Sequence, residues 1–262
     1  MPDPTGAPAS PTRTLRVCAL YPDLMNIYAD RGNLLLLERR CRWRGFGFEL
    51  SAGVLGDALD PEAADMYYIG GGQDRDQRLC AFDLAQVKRA AIHAAAARGA
   101  VILGVCGGYQ LLGHSYELGG ETLPGVGLVD LTTVRAPEQE GRLIGNVAIE
   151  PAAHPLDPPP DGGAPRVLAG FENHGGRTWL GPGATPLGRV LSGYGNNGSD
   201  GHEGVIAGNV IGTYLHGPLL PKNAWLADRL IAIALGLDEP LAPLDDELED
   251  AAHALARRAA GV

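Results

Sequence analysis

Residues 100–108 read AVILGVCGG, an apolar run that leads into a cysteine fenced by glycines. The G-x-C-x-G over 104–108 has the spacing of a nucleophile elbow, with cysteine in the place of serine. Such an elbow needs a strand that turns sharply into a helix, and small neighbours let the backbone close that tightly. The helix N-terminus then lies beside the sulfur, where its N–H groups and dipole favour thiolate. An unperturbed thiol, with a pKa of about 8.5, is only ~3% ionised at pH 7, so this help matters. A cysteine packed at a strand end would show the same five residues. The buried strand before it and the helix after it make Cys106 the candidate nucleophile. Cys18, Cys41 and Cys80 lack that setting and read as core.

Working outward, the same alternation repeats. Leu15–Tyr21 reads as a strand stopped by Pro22, and Asp30 as a cap for a helix over Gly32–Trp43, where Leu34, Leu35, Leu37 and Cys41 recur at helical spacing. Phe46–Gly53 and Asp65–Ile69 read as strands, the latter running into Gly70, Gly71 and Gly72. An alanine-rich helix is expected from Asp83 to about Arg98, stopped by Gly99. Strand–helix alternation of this kind predicts an α/β fold: a mainly parallel, doubly wound sheet flanked by helices, with the cysteine at a strand-to-helix elbow. Beyond Gly119 the pattern changes to strands between Gly/Pro turns, at Val129–Arg135, Leu143–Glu150, Val167–Glu172, Pro186–Ser192 and Val205–Leu215. The Pro-rich 154–165 reads as a surface loop. A late helix is expected from near Asn223. The stretch 245–258, acids first and arginines last, suits a helix dipole. Residues 1–14 read as a disordered tail, 15–240 as one domain and 241–262 as a helical tail.

A net charge of −10 over 262 residues argues against sequence-independent binding to nucleic acid or anionic lipid. No run approaches the ~18 apolar residues of a membrane span. The first residues lack the apolar stretch of a signal peptide. Four cysteines with no C-x-x-C pair and no zinc spacing point to a cytoplasmic chain with free thiols and no structural metal.

Acyl transfer from a thiolate also needs an oxyanion hole. The N–H groups of Gly72 and Gly107 are the candidates, because glycine lets the backbone come close. Seven histidines compete for the base. His216 follows an apolar strand and so stands at a carboxyl end, the edge where open α/β sheets place their sites. His174, in FENHGGRT, is the alternative.

With these residues in view, the sequence resembles the class I, triad-type glutamine amidotransferases, and within them the subgroup related to cobyric acid synthase. It is most similar to the GatD type, the glutaminase subunits of lipid II isoglutaminyl synthases. The matching segments are LYPDLMNIYADRGN (20–33), YIGGGQDRDQ (68–77), ILGVCGGYQLLG (102–113), GRLIGN (141–146), GFENHGGRT (170–178) and GNVIGTYLHGPLLPKN (208–223). The resemblance implies that Cys106 attacks the side-chain amide of L-glutamine to give a γ-glutamyl thioester. It implies His216 as the base and Gly72 and Gly107 as the oxyanion hole. Arg142 would hold glutamine at the entrance, with Gln73, the stretch to Gln77, and Gln110 shaping the pocket.

One position departs from the wider class, which has His-x-Glu where this chain has His216-Gly217-Pro218. Such an acid fixes the imidazole tautomer and stabilises the imidazolium. The GatD type suggests that a carboxylate from a partner subunit takes its place. The chain has no G-x-x-x-x-G-K-[ST] phosphate loop. ATP and Mg²⁺ are therefore expected on a separate MurT-like synthetase in a heterodimer, which amidates the D-glutamate of lipid II. The alternatives are a stand-alone Cys–His hydrolase of the γ-glutamyl hydrolase or peptidase kind, and a subunit for corrinoid amidation.

Overall fold

The computed structural model describes residues 13–27, 30–152 and 166–262. Most of the expected tail and the loop over 154–165 lie outside the described residues. A six-stranded sheet forms the centre. Its strands are β1 (Thr14–Leu20), β2 (Gly47–Gly53), β3 (Met66–Ile69), β4 (Val101–Val105), β13 (Val205–Ala207) and β14 (Val210–Thr213). They lie in the order β13-β14-β4-β3-β1-β2, all neighbouring pairs parallel except β13–β14. A parallel strand covered on both faces reads as continuous apolar sequence, and every residue of β4 is buried. Helix α1 (Arg31–Trp43) turns Leu34, Leu37 and Cys41 inward, while Leu35, expected with them, falls on the outer face and is half exposed. Strand order reverses at β1, so the carboxyl ends of β1 and β3 flank a topological switch point.

Three expectations need correction. The second helical stretch starts at α2 (Asp74–Asp83), well before Asp83, and reaches α3 (Arg89–Ala97) through a π-helical turn over Leu84–Lys88. Leu84 and Lys88 at its two ends are both buried, and the wider turn shifts the register of the helix that follows. The single strand expected over Val205–Leu215 is a hairpin, because Gly208 turns the chain at φ +56°. Strands β5 (Ser115–Leu118), β6 (Glu121–Pro124) and β10 (Gly176–Leu180) carry little apolar alternation and were not anticipated.

After α4 (Gly107–Leu112) the chain builds two small four-stranded sheets. One joins β5, β6 and β10 to β7 (Leu131–Arg135). The other joins β8 (Leu143–Pro151), β9 (Leu168–His174), β11 (Gly188–Ser192) and β12 (His202–Glu203). Helices α5 (Leu219–Lys222), α6 (Ala224–Ala234) and α7 (Glu247–Ala260) close the chain. The C-terminal helix packs on this chain itself. Asp246 at its start pairs with the buried Arg40, and Asn146 of β8 donates to Ala259 O.

Candidate active site

Four carboxyl ends of the central sheet meet in one place. Cys106 ends β4 at φ +52°, ψ −105°, a conformation rare for a residue with a side chain, and α4 begins at the next residue. The flanking glycines make this possible. A Cβ on Gly108 would stand 2.2 Å from Ile69 O, and one on Gly104 only 2.9 Å from the Gly108 carbonyl carbon. The elbow is tied to its neighbours through Gly108 N–H to Gly70 O (3.0 Å) and Cys106 N–H to Thr213 O (2.8 Å). Thr213 ends β14, which leads into His216. His216 is then fixed by paired backbone hydrogen bonds with Phe171 of β9.

His216 is fully buried, and its Nδ1 lies 3.4 Å from Oδ1 of Asp30, also fully buried. The other Asp30 oxygen accepts the Gly71 N–H at 2.9 Å. Burial alone would lower the His216 pKa. The facing Cys106 sulfur and the Asp30 carboxylate outweigh it and push the imidazole up to about 10. His216 thus stands between the Cys106 sulfur and the Asp30 carboxylate. With Nδ1 turned to Asp30, Nε2 is the ring atom left for the sulfur.

Sequence reasoning missed Asp30 by assigning it to capping α1. Its position is the helix N-cap, but its side chain makes no capping bond. It lies 186 residues from His216 in the chain, so no local spacing reveals the contact. A carboxylate of this chain thus lies beside His216, where the reading expected one from a partner. The available signal was the acid inside the segment 20–33, which joins the first strand to α1.

The other expected residues are placed as follows. Gly72 N lies 3.1 Å from where a Cβ on Gly107 would stand, so the two oxyanion candidates back onto each other beside the sulfur. Gln110 is buried on α4; its Nε2 donates to Tyr214 Oη (3.0 Å) and its Oε1 accepts from Gln77 (2.6 Å). Gln73 is exposed where the glycine loop meets α2, and Gln77 is the residue of that stretch that reaches the elbow. Arg142 is on the surface and holds Asn173 through Oδ1 (2.7 Å) and the carbonyl (2.8 Å). A Cβ on Gly175 would stand 3.4 Å from its guanidinium, and one on Gly176 would stand 2.6 Å from Gln110 Nε2. Arg142 and the elbow helix thus flank the same Gly175-Gly176 turn. His174 is buried behind the same wall, on the far side of Tyr214 from Gln110's hydroxyl contact. It stacks on Tyr214 at 3.5 Å, its Nδ1 lies 2.8 Å from Gly176 O, and burial lowers its pKa. Among the described residues no group of three or more His, Cys, Asp or Glu side chains is placed to hold a metal ion. No described helix is long and apolar enough to cross a membrane.

Comparison with known proteins gives the family. The family model for the CobB/CobQ-like glutamine amidotransferase domain matches residues 16–224. The GatD subunit of lipid II isoglutaminyl synthase (glutamine-hydrolyzing) from Streptococcus pneumoniae is 38% identical over 222 residues, 84% of this chain and 80% of that one. The corresponding subunit from Staphylococcus aureus is 37% identical over 80% of this chain and 79% of its own. Cobyric acid synthase from Sphingopyxis alaskensis is 35% identical over 80% of this chain, which spans only 40% of that protein. Among solved structures, PurLQS from Thermotoga maritima superposes with a TM-score of 0.56 at 22% identity, covering 85% of this chain and 98% of that one, a likeness of fold.

Proposed function

The chain belongs to the family of CobB/CobQ-like glutamine amidotransferase domains, and from that premise we propose that it is the glutamine-hydrolysing subunit of a lipid II isoglutaminyl synthase. The observation that carries the chemistry is the strained Cys106 facing a buried His216 that is itself backed by Asp30.

In this reading the Cys106 thiolate attacks the side-chain carbonyl carbon of glutamine, and the oxyanion is received by the N–H groups of Gly72 and Gly107. His216 gives its proton to the leaving nitrogen, ammonia departs, and a γ-glutamyl thioester remains. A water then attacks the thioester as His216 takes its proton, and glutamate leaves with the thiolate restored. Asp30 keeps the imidazole in the tautomer that presents Nε2 to the sulfur and stabilises the imidazolium. Arg142 and Gln110 orient the substrate across the Gly175-Gly176 turn.

Ammonia released into water at neutral pH is protonated and lost as a nucleophile, so the hydrolysis is useful beside an acceptor. The GatD relatives are named as subunits, and a MurT-like synthetase carrying ATP and Mg²⁺ is the partner that suits this chain. Its acceptor is the D-glutamate carboxylate of lipid II.

The test is glutamate release from glutamine by the purified chain, alone and with its cognate synthetase. Cys106→Ala abolishes it in either case. Asp30→Asn lowers kcat roughly 10²- to 10⁴-fold and distorts the pH profile. Full activity in Asp30→Asn alone, with collapse on removing a partner carboxylate, returns the acid to the partner. Activity that ignores the synthetase and acts on γ-glutamyl peptides favours an independent hydrolase.

A further inference from the structure

Backbone N–H groups at Gly72 and Gly107 can receive a carboxamide oxygen and a carboxylate oxygen equally well. His216, with its imidazole pushed up to about 10, adds a positive charge beside the sulfur and so favours the carboxylate. A glutaminase site built of donors alone would therefore hold its product, glutamate, more tightly than its substrate. The two differ at one atom. The amide nitrogen of glutamine donates, and the oxygen in its place on glutamate accepts. Selection of the substrate needs an acceptor aimed at that atom.

One buried side chain supplies it. Gln77, in the first turn of α2, is only 2% exposed. Its Nε2 donates to Gln110 Oε1 (2.6 Å) and lies 3.5 Å from Gly107 O. The Gly107 carbonyl can only accept, and Gln110 Nε2 is committed to the Tyr214 hydroxyl, so the nitrogen end of the Gln77 amide is the one that faces them. Gln77 Oε1 is left with no hydrogen-bond partner among the described residues. It stands 3.2 Å from the point that a Cβ on Gly107 would occupy, and Gly72 N stands 3.1 Å from the same point. Gly107 directly follows the nucleophile. An orphaned acceptor and an oxyanion donor therefore face one space at the elbow. A buried amide oxygen without a donor is unfavourable, and a ligand that donates there recovers the loss.

We propose that Gln77 Oε1 accepts a hydrogen bond from the side-chain amide nitrogen of glutamine and repels the oxygen that replaces it in glutamate, so that Gln77 sets the choice of carboxamide over carboxylate. The inference rests on the glutamine-hydrolysing reading above and adds the specificity of that site. Gln110 gains a second task, because its Oε1 holds the Gln77 amide with the oxygen turned to the elbow. Attack by the sulfur leaves a lone pair on the amide nitrogen. With one N–H held by Oε1, that lone pair takes the proton of His216, and ammonia departs. The glutamate formed when water attacks the thioester meets Oε1 with an acceptor and is released.

The experiment measures the binding of L-glutamine and of L-glutamate by calorimetry. It uses the full chain with its cognate synthetase, in the non-hydrolysing Cys106→Ala background. This parent is compared with Gln77→Met, which keeps the length of the side chain without the amide. A second variant, Gln77→Glu, keeps an acceptor but gives up the bond to Gln110. Thermal melts check folding. Gln77→Met is expected to bind glutamine at least ~10-fold more weakly than the parent, and glutamate no more weakly. Its preference for glutamine falls by the same factor. Gln77→Glu is expected to keep or exceed the parent's preference, because a carboxylate at 77 rejects glutamate more strongly. Equal losses of both amino acids in Gln77→Met would overturn the inference. So would loss of the preference in Gln77→Glu, which would mean that Gln77 acts only by holding Gln110. A parent that binds neither amino acid overturns the glutamine-hydrolysing reading itself.

Discussion

Two strand ends in this molecule carry the same backbone strain to different purposes. Among the described residues only Tyr21 and Cys106 combine a side chain with positive φ, at +54° and +52°. Each stands just past a parallel strand, β1 and β4. Holding such a conformation costs on the order of 1–3 kcal/mol, which the surroundings must offset. At Tyr21 the surroundings are a closed polar knot. The phenol donates to Asp83 (2.7 Å), Lys88 pairs with the same carboxylate and lies over the tyrosine ring at 5.2 Å, and Gly56 N–H takes the remaining oxygen (2.7 Å). At Cys106 the strain points a sulfur at an imidazole. Strain at a strand end is therefore not a signature of catalysis; what the strained side chain faces decides its use.

The largest effect expected from this contrast is at Cys106. Replacing it by glycine removes the nucleophile and also the steric cost of φ +52°. Glutamine hydrolysis should fall by roughly 10⁴-fold or more. The protein should meanwhile gain about 1 kcal/mol, a rise in Tm of about 2–4 °C. Cys106→Ala, which keeps a Cβ, should lose the activity without that gain. A glycine variant that melts below wild type would mean that the elbow stores no strain.

Next in size is the knot beneath Tyr21. Lys88→Met leaves the Asp83 carboxylate without its cation, and breaking such a pair typically costs about 3 kcal/mol or more. Denaturant unfolding should show a loss of about 3 kcal/mol, partly restored in the double variant with Asp83→Asn. The Tyr21 turn also places Met25, whose side chain abuts Gly72 and Gly107. A kcat that falls further than the folded fraction would break the separation drawn here, since it would tie the structural turn to the oxyanion loop.

How far each region was legible follows from the range of its contacts. The elbow could be read because its requirements are local: an apolar strand, small residues and a nucleophile within nine positions. His216 could be placed at a carboxyl edge from the apolar run before it. Asp30 could not, because its partner lies on another strand and the local pattern offered a helix cap instead. The start of α2 was hidden by a polar opening, DRDQR, and the register of α3 by the π-turn before it. The small sheets have short strands whose pairing is set across the chain, as in β10 with β7.

The smallest predicted effect separates a paired buried acid from an unpaired one. Asp83 has a cation; burial raises its pKa, but Lys88, Gly56 and Tyr21 outweigh that and hold it below the ordinary value. Glu203 is fully buried and forms no ion pair among the described residues, with only the more distant positive charge of His216 acting on it. It accepts from Tyr214 N–H (2.6 Å) and from the Thr213 hydroxyl, and burial pushes its pKa up to about 8. The folded protein therefore keeps a proton on Glu203 between its ordinary pKa of 4.5 and about 8, where the unfolded chain has lost it. Stability attributable to this group must fall as pH rises through that window and level off above it. His216 adds a fall of the same sign from its ordinary 6.5 to about 10, so wild type alone cannot separate the two. Glu203→Gln can, because it keeps an acceptor for Tyr214 and a donor for Thr213 but cannot ionise, while the His216 side chain stays and loses only its coupling to Glu203. The variant should match wild type near pH 5 and exceed it by on the order of 1–2 kcal/mol at pH 9. A constant offset at all pH values would mean that Glu203 is ionised in the fold throughout, paired in a way the Tyr214 and Thr213 contacts do not provide.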